Sequence, residues 1–203
     1  AELIVTHHPL FFPSTSCMNE DTALGRAASM LIRGGHTLYS CHTNLDIAKG
    51  GVNDRLAQVL GLQNVETIGA EGLLRRGTVA PQPLEQFLAT VQEALGCPGL
   101  RYCDGGKPCT RIAVGGGACG SELREAADNG CDTFVTSDIK YNQFWDAQDL
   151  GITLIDAGHF YTENPVCAVL AHTLRQAFPE LDVRISQKHR DCMKFFGKPV
   201  DFF

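Results

Sequence analysis

The feature that most constrains the fold is a regular alternation of strand-like and helix-like segments from residue 111 onward. Short runs rich in valine, isoleucine, threonine and phenylalanine predict strands, and apolar residues spaced three and four positions apart predict helices. The predicted strands are 111–114, 133–136, 152–156 and 182–186, with predicted helices over 121–129, 140–149 and 164–177. Because strand–helix–strand units pair their strands in parallel through right-handed crossovers, the sequence predicts an α/β fold.

The first half of the chain has the same elements in a looser order. Strands are predicted over 2–6, 37–41, 65–68 and 73–79, and helices over 21–34, 52–60 and 83–95. Asp21 is the expected N-cap of the first helix, and 97–108, rich in Gly, Pro and Cys, is expected to be a turn region. We predict two interlocked α/β lobes, 1–64 and 65–203. Because a free-standing domain rarely begins with a buried strand, amino-terminal elements are expected to be missing.

Composition excludes several classes of protein. The 17 basic and 23 acidic residues give a formal net charge of −6, which makes nucleic acid an unlikely partner because binding to it depends on neutralising phosphates. No window approaches the roughly 20 apolar residues that a membrane helix needs. The nine cysteines are scattered without a Cys-x-x-Cys pair, which argues against a zinc ribbon and favours a reduced, cytoplasmic protein.

Three short segments that follow predicted strands carry the residue types that bind metals. They are His7-His8-Pro9, His42-Thr43-Asn44-Leu45-Asp46 and the stretch from Asp156 through His159 to Glu163. Each also has a purely structural interpretation. The histidine pair can be polar residues leaving a strand, the second segment can be an Asx-type turn, and the third can be the capped start of a helix.

Taken together, the segments favour metal binding. Ligands in α/β sheets bind beyond the carboxyl ends of strands, and these segments supply His7, His8, Asp46, His159 and Glu163. Mixed imidazole and carboxylate ligands suit two divalent ions of zinc, iron, manganese, nickel or cobalt. Two such ions about 3.5–4 Å apart hold a bridging water as hydroxide near neutral pH and polarise a substrate oxygen, so hydrolysis is the expected chemistry.

The order and spacing of these segments resemble the Nif-three-like dinuclear metal-centre family, also called GTP cyclohydrolase I type 2-like proteins. The resemblance covers essentially the whole chain. It implies that the metal ligands are His7, His8, Asp46, His159 and Glu163, with Glu163 expected to bridge the ions. It also implies a cytosolic, toroidal homohexamer with a metal site in a cleft between the lobes, and a GTP cyclohydrolase-like activity on a small, nucleotide-like substrate.

The sequence departs from the family pattern in the segment from Thr136 to Asn142. Asn142 stands where family members often carry a histidine, so another group would have to transfer protons. Asp138 is either an acid/base candidate or a helix N-cap. His42 is either a hydrogen-bond donor to a ligand or a proton carrier. The alternative to a hydrolase is a metal-binding scaffold or regulatory protein without turnover, and the missing histidine is the sequence feature that favours it.

Two further patterns are weaker. Gly115, Gly117 and Gly120 match a dinucleotide-binding spacing, although a plain tight turn or a loop bordering a phosphorylated substrate explains them as well. Aromatic residues 141, 144 and 145 favour a core or subunit-interface role over base stacking. The apolar tail, 195–203, is expected to dock as an edge strand or against another subunit.

Overall fold

The computed structural model describes residues 1–69 and 71–196. Contacts divide the chain into two compact units, one from Ala1 to Asp46 and the other from Ile47 onward. The sequence predicts this boundary at residue 64. The helix that follows Gly51 belongs to the second unit, because its buried side chains Leu56 and Ala57 are part of that unit's core.

The first unit contains a pair of parallel strands and a helix. Strands β1 (Leu3–Thr6) and β2 (Thr37–Ser40) pair in register from Leu3↔Thr37 to Thr6↔Ser40. Helix α1 (Ala23–Gly34) connects them and ends at Gly35 in the left-handed conformation. The short helix α2 (Thr43–Ile47) follows β2. Both strands therefore end at the same edge, and the residues after them leave from that edge.

The second unit is built on a mixed six-stranded sheet. Its strands are β3 (Gln63–Ile68), β4 (Leu74–Gln82), β5 (Arg101–Cys103), β6 (Cys109–Val114), β7 (Thr133–Thr136) and β8 (Thr153–Asp156), in the order β3-β4-β6-β7-β8-β5. The β6–β7 and β7–β8 pairs are parallel. The other three pairs are antiparallel, so the parallel pairing expected from the alternation holds only at the sheet centre.

The sheet is covered by helices on both faces. Helices α3 (Val52–Val59) and α4 (Leu84–Leu95) contribute to the core cluster on one face, and α5 (Leu123–Asp128) and α6 (Tyr141–Leu150) to the cluster on the other. Helices α7 (His159–Glu163) and α8 (Pro165–Ala177) pack against α3. Successive strand residues point to opposite faces. Ile112, Val135 and Ile155 accordingly pack in one core cluster with Phe87 of α4. The alternate residues, including Phe134 and Leu154, pack in the other cluster with α5 and α6.

Several sequence predictions need correction. The N-cap of α1 is Thr22, whose hydroxyl accepts a hydrogen bond from Gly25 N at 3.0 Å, and not Asp21. The expected strand over 182–186 is absent from the described residues; instead, the Val183 carbonyl accepts two hydrogen bonds from Arg175. The expected turn region, 97–108, contains strand β5. Helix α2 was not predicted.

Only the first two residues of the apolar tail, Phe195 and Phe196, lie within the described residues. A Cβ placed on Gly99 would meet the Phe195 ring at 3.3 Å, so this ring lies against the Gly99 backbone. Phe196 is fully exposed, and 197–203 lie outside the described residues. Among the helices of the described ranges, none combines the length and the apolar character that crossing a membrane requires.

We predict that Leu154→Ala destabilises the second unit by about 2–5 kcal/mol, because it opens a cavity at a fully buried position of the sheet. Leu181→Ala is the matched control; its side chain is 51% exposed, and surface changes stay within about 0.5 kcal/mol. Urea denaturation followed by circular dichroism measures both free energies of unfolding. Equal losses for the two variants would contradict the packing described here.

Candidate metal centre

Three histidines lie together at the carboxyl end of β1 and β2. The parallel register ends at Thr6↔Ser40, so the residues directly after the two strands leave the same edge. His7, His8 and His42 meet there, with ring centroids 5.0 to 5.4 Å apart. One ring nitrogen of each lies within 4.8 Å of the others. A cluster of three imidazoles at this spacing is suited to a divalent transition-metal ion.

Hydrogen bonding fixes the orientation of His7. Its Nδ1 lies 2.7 Å from the carbonyl oxygen of Cys41. Because a carbonyl oxygen only accepts hydrogen bonds, Nδ1 carries a proton and a neutral ring presents its lone pair at Nε2. This Nε2 lies 3.5 Å from Oδ1 of Asp46, a largely buried carboxylate carried by α2. The first unit thus assembles three imidazoles and one carboxylate from residues 7 to 46.

The second unit has its own group of candidate ligands at the start of α7. His159 Nε2 lies 2.9 Å from Oε1 of Glu163, one helical turn further along. The other ring nitrogen, Nδ1, lies 2.7 Å from Oδ2 of Asp138. Asp138 follows β7 and adopts a positive φ of 52°, which non-glycine residues adopt infrequently and often near functional sites. A carboxylate that holds the second nitrogen of a ligand histidine is a recurring feature of metal sites.

The two carboxylates raise the pKa of His159 from its ordinary 6.5 to about 9. Hydrogen bonding to Glu163 is the largest cause, partial burial acts in the opposite direction, and the hydrogen bond to Asp138 adds to the rise. In the absence of a metal ion, His159 is therefore an imidazolium held between two carboxylates at neutral pH.

A glycine turn packs against this group. Gly117 has a φ of 66°, and a Cβ on it would collide with the Glu163 carboxylate and lie 3.2 Å from His159 Nε2. Two buried side chains fix the turn. The Asn53 amide oxygen accepts a hydrogen bond from Gly116 N at 2.7 Å, and the Thr162 hydroxyl oxygen accepts one from Gly117 N at 3.0 Å. The Glu163 carboxylate thus lies in a recess that only glycine leaves open.

The same hydrogen bonds decide how the Gly115–Gly120 pattern is interpreted. The backbone N–H groups of Gly116, Gly117 and Cys119 donate to side chains of the protein, so they are already occupied and do not form a phosphate cradle. The helix that follows spans only Leu123–Asp128, after a single 3-10 turn. The geometry favours the plain tight turn over the dinucleotide site.

A family model for Duf34/NIF3 (NGG1p interacting factor 3) matches residues 1–192. The chain belongs to this family. It is 35% identical to a GTP cyclohydrolase 1 type 2 homolog of Nostoc sp. over 98% of this chain and 78% of the relative. It is 30% identical to the homolog of Clostridium perfringens, over 96% and 78% of the two chains.

A solved structure agrees with the fold. The crystal structure of Staphylococcus aureus hypothetical protein SA1388 matches with a TM-score of 0.87 and 27% sequence identity, over 96% of this chain and 80% of that one. The Duf34/NIF3 assignment and the α/β fold that the sequence motifs predicted are thereby confirmed. These two relatives carry the word homolog in their names, so the names identify the family without fixing the activity of this chain.

The donor chemistry of both groups fits divalent metal ions. All the candidate ligand atoms are imidazole nitrogens or carboxylate oxygens, the set preferred by zinc and by iron, manganese, nickel and cobalt. The recess beside Gly117 keeps one carboxylate close to His159. Sequence analysis named the candidate ligands but missed the residues that hold them, Asn53, Thr162 and Gly117. Of these three, Gly117 alone had a signal in the sequence, because it is part of the glycine spacing typical of dinucleotide-binding sites.

We predict that Gly117→Ala destabilises the second unit more than Gly96→Ala. Both glycines have nearly the same positive φ, 66° and 64°, but space around Gly96 is open while Gly117 abuts Glu163. Gly96→Ala should cost about 1 kcal/mol for the left-handed conformation alone, and Gly117→Ala a further 1–3 kcal/mol or so for overpacking. Urea denaturation measures the difference, and equal costs would show that the recess is not tight.

Proposed function

We propose that this Duf34/NIF3 protein is a metal-dependent hydrolase that acts on a small, nucleotide-like substrate. Its ligands would be His7, His8 and Asp46 from the first unit and His159 and Glu163 from the second, serving one pair of divalent ions. The observation that carries the proposal is the cluster of histidine ring nitrogens within 4.8 Å at the end of β1 and β2. Three imidazoles this close together favour a shared cation, because their protonated forms would repel one another whereas their neutral forms offer lone pairs to a metal.

The roles of the chain's own residues follow from their contacts. Asp138 accepts a hydrogen bond from His159 Nδ1, so it orients the ring and keeps Nε2 directed toward Glu163. His42 lies beside both His7 and His8 and is the proton carrier in this proposal. When bound, two divalent ions supply an activated water and polarise a substrate oxygen.

Cellular context and assembly complete the proposal. All nine cysteines are free thiols, which supports a reduced, cytoplasmic environment. We propose a homo-oligomer, with the hexamer implied by the family resemblance as its form. The GTP cyclohydrolase 1 type 2 part of the relatives' names supports a nucleotide-like substrate. A net charge of −6 favours such a small molecule over a nucleic acid.

We predict that Glu163→Gln lowers metal content from two ions per chain to one or fewer. The amide keeps the size of the side chain but removes the negative charge with which a carboxylate binds divalent ions. Purified protein is dialysed against zinc or manganese and analysed by inductively coupled plasma mass spectrometry. Glu180→Gln is the matched control, because its side chain is exposed and should leave both ions in place.

A second comparison tests whether both units serve the same ions. His8→Ala in the first unit and Glu163→Gln in the second should each weaken metal binding about 10–100-fold. The double variant should lose less metal affinity than the product of the two single losses. Independent, multiplicative losses would show that each unit binds its own ion. Full metal occupancy in the Glu163→Gln variant would overturn the ligand assignment.

We predict that the metal-loaded protein hydrolyses at least one member of a panel of nucleoside mono-, di- and triphosphates, and that EDTA abolishes the turnover. Asp138→Asn should reduce the rate about 10–100-fold, because the amide no longer fixes the protonation and orientation of His159. Product formation is followed by liquid chromatography. Two bound ions without turnover on any substrate would refute the hydrolase and support the scaffold.

A further inference from the structure

An aromatic cleft lies on the second unit, between edge strand β5 and helix α6. Its volume is about 330 Å³, and its lining includes Arg101, Tyr102, Tyr141, Phe144, Trp145 and Gln148. Three of the four rings are strongly exposed, Tyr141 the most at 77%. This exposure excludes the core role that sequence analysis considered for Tyr141 and Trp145, whereas Phe144 is partly buried and packs against a core cluster. Exposed aromatic groups that gather around a concavity are typical of a binding site.

The rings are arranged to hold a flat ligand. Tyr141 and Trp145 are one helical turn apart, and their rings meet edge to face with centroids 6.4 Å apart. This arrangement leaves ring faces available for stacking. The Arg101 guanidinium lies over the Phe144 ring at 5.6 Å and adds a second planar group. Stacking on aromatic and guanidinium planes is how proteins hold unpaired nucleobases.

Arg101 is held in place before any ligand arrives. Its Nη2 donates to the Ile139 carbonyl at 3.1 Å and to the Asp156 carboxylate. Among the described residues, both of its side-chain hydrogen bonds come from Nη2, so Nε and Nη1 remain as donors. A guanidinium never accepts hydrogen bonds, so the facing edge of the ligand must present an acceptor. Because Asp156 balances the charge, the cleft favours an uncharged heterocycle over a phosphate.

The cleft is connected to the candidate ligands of the second unit. Ile139 follows Asp138, whose carboxylate binds His159. Asp156, which binds Arg101, also accepts from Gly158 N at 3.1 Å, directly before His159. The groups that fix Arg101 therefore belong to the same two loops that fix His159.

We propose that this cleft binds a purine base. A purine offers the bicyclic face that stacks best and carries an acceptor, N7, on its edge, while the Gln148 amide both donates and accepts. A volume of about 330 Å³ suits one nucleoside, at the lower end of small-molecule sites. That the base belongs to the substrate rests on the proposed function, whereas binding of the base does not.

The position of Trp145, the only tryptophan of the chain, supplies a direct test. EDTA-treated full-length protein is titrated with guanosine, GMP, cytidine and ribose 5-phosphate, and tryptophan fluorescence is recorded. Guanosine and GMP should quench saturably with affinities within about threefold of each other, since the base is what is bound. Cytidine should bind about tenfold more weakly through its smaller stacking face, and ribose 5-phosphate should not quench.

Variants locate the binding. Tyr141→Ala should weaken guanosine binding about tenfold and cannot disturb the core, because the residue is exposed. Phe178→Ala removes an exposed aromatic ring outside the cleft and should bind as wild type. Trp145→Phe should lose the fluorescence signal but retain binding in isothermal titration calorimetry. Glu163→Gln should bind guanosine within twofold of wild type, so failure of the metal proposal leaves this result intact.

Two outcomes would overturn the proposal. One is the absence of saturable quenching and of calorimetric heat with guanosine at millimolar concentration. The other concerns the Tyr141→Ala variant, which would either bind guanosine as tightly as wild type or be monomeric in sedimentation velocity where the wild type is oligomeric and binds no guanosine. The latter result would assign the cleft to an interface between copies of this chain.

Discussion

Parallel pairing of neighbouring strands is the constraint on which the candidate chemistry depends. In the first unit the register ends at Thr6↔Ser40, and in the second it ends at Thr136↔Asp156. The residues that follow paired strand ends must leave the sheet at one edge. His7 and His42 are brought together in this way, as are Asp138 and His159. Residues distant in sequence thus become neighbours through backbone hydrogen bonds alone, before any side chain contributes.

Buried polar groups then make the second group of ligands rigid. Asn53 is fully buried and joins Gly116 N to the Leu73 carbonyl. The Gly117 carbonyl accepts from the hydroxyls of Thr136 and Ser137 at 3.0 and 2.6 Å. A buried amide or hydroxyl without partners would cost about 1–3 kcal/mol, and here each is matched. The turn has little freedom to move, so the carboxylate that packs against it is confined as well.

Much of the fold and the candidate ligands follows from local sequence, whereas features created by tertiary contact do not. The central strands are predictable because their β-branched residues are buried on both faces. Strand β5 has only three residues, Arg101–Cys103, and forms because β8 offers it an antiparallel edge. Over 182–186 the local pattern is more strand-like, yet no ladder partner exists there within the described residues. Strand propensity without a partner does not make a strand.

The same limit explains which residues of the site were recognised. Histidine, aspartate and glutamate after predicted strands are visible as possible ligands, since their chemistry belongs to the side chain itself. Gly117 is important because it has no Cβ, which leaves room for the Glu163 carboxylate. Asn53 is important because its side chain bonds two backbone groups that are far away in sequence. Neither property can be read from local composition. The α6 aromatics were recognised by type, but whether they face a core or solvent is decided by the strand that packs beside them.

Protonation explains why imidazoles and carboxylates, and not the numerous thiols, form the candidate ligand set. Only the thiolate binds metal well, and burial raises the pKa of Cys97, Cys109 and Cys131, the last to about 11. Near neutral pH these side chains remain thiols and act as small apolar core residues. Carboxylic acids in general are already ionised near neutral pH. A chain with nine cysteines can therefore present nitrogen and oxygen ligands to a divalent metal without competition from sulfur in its core.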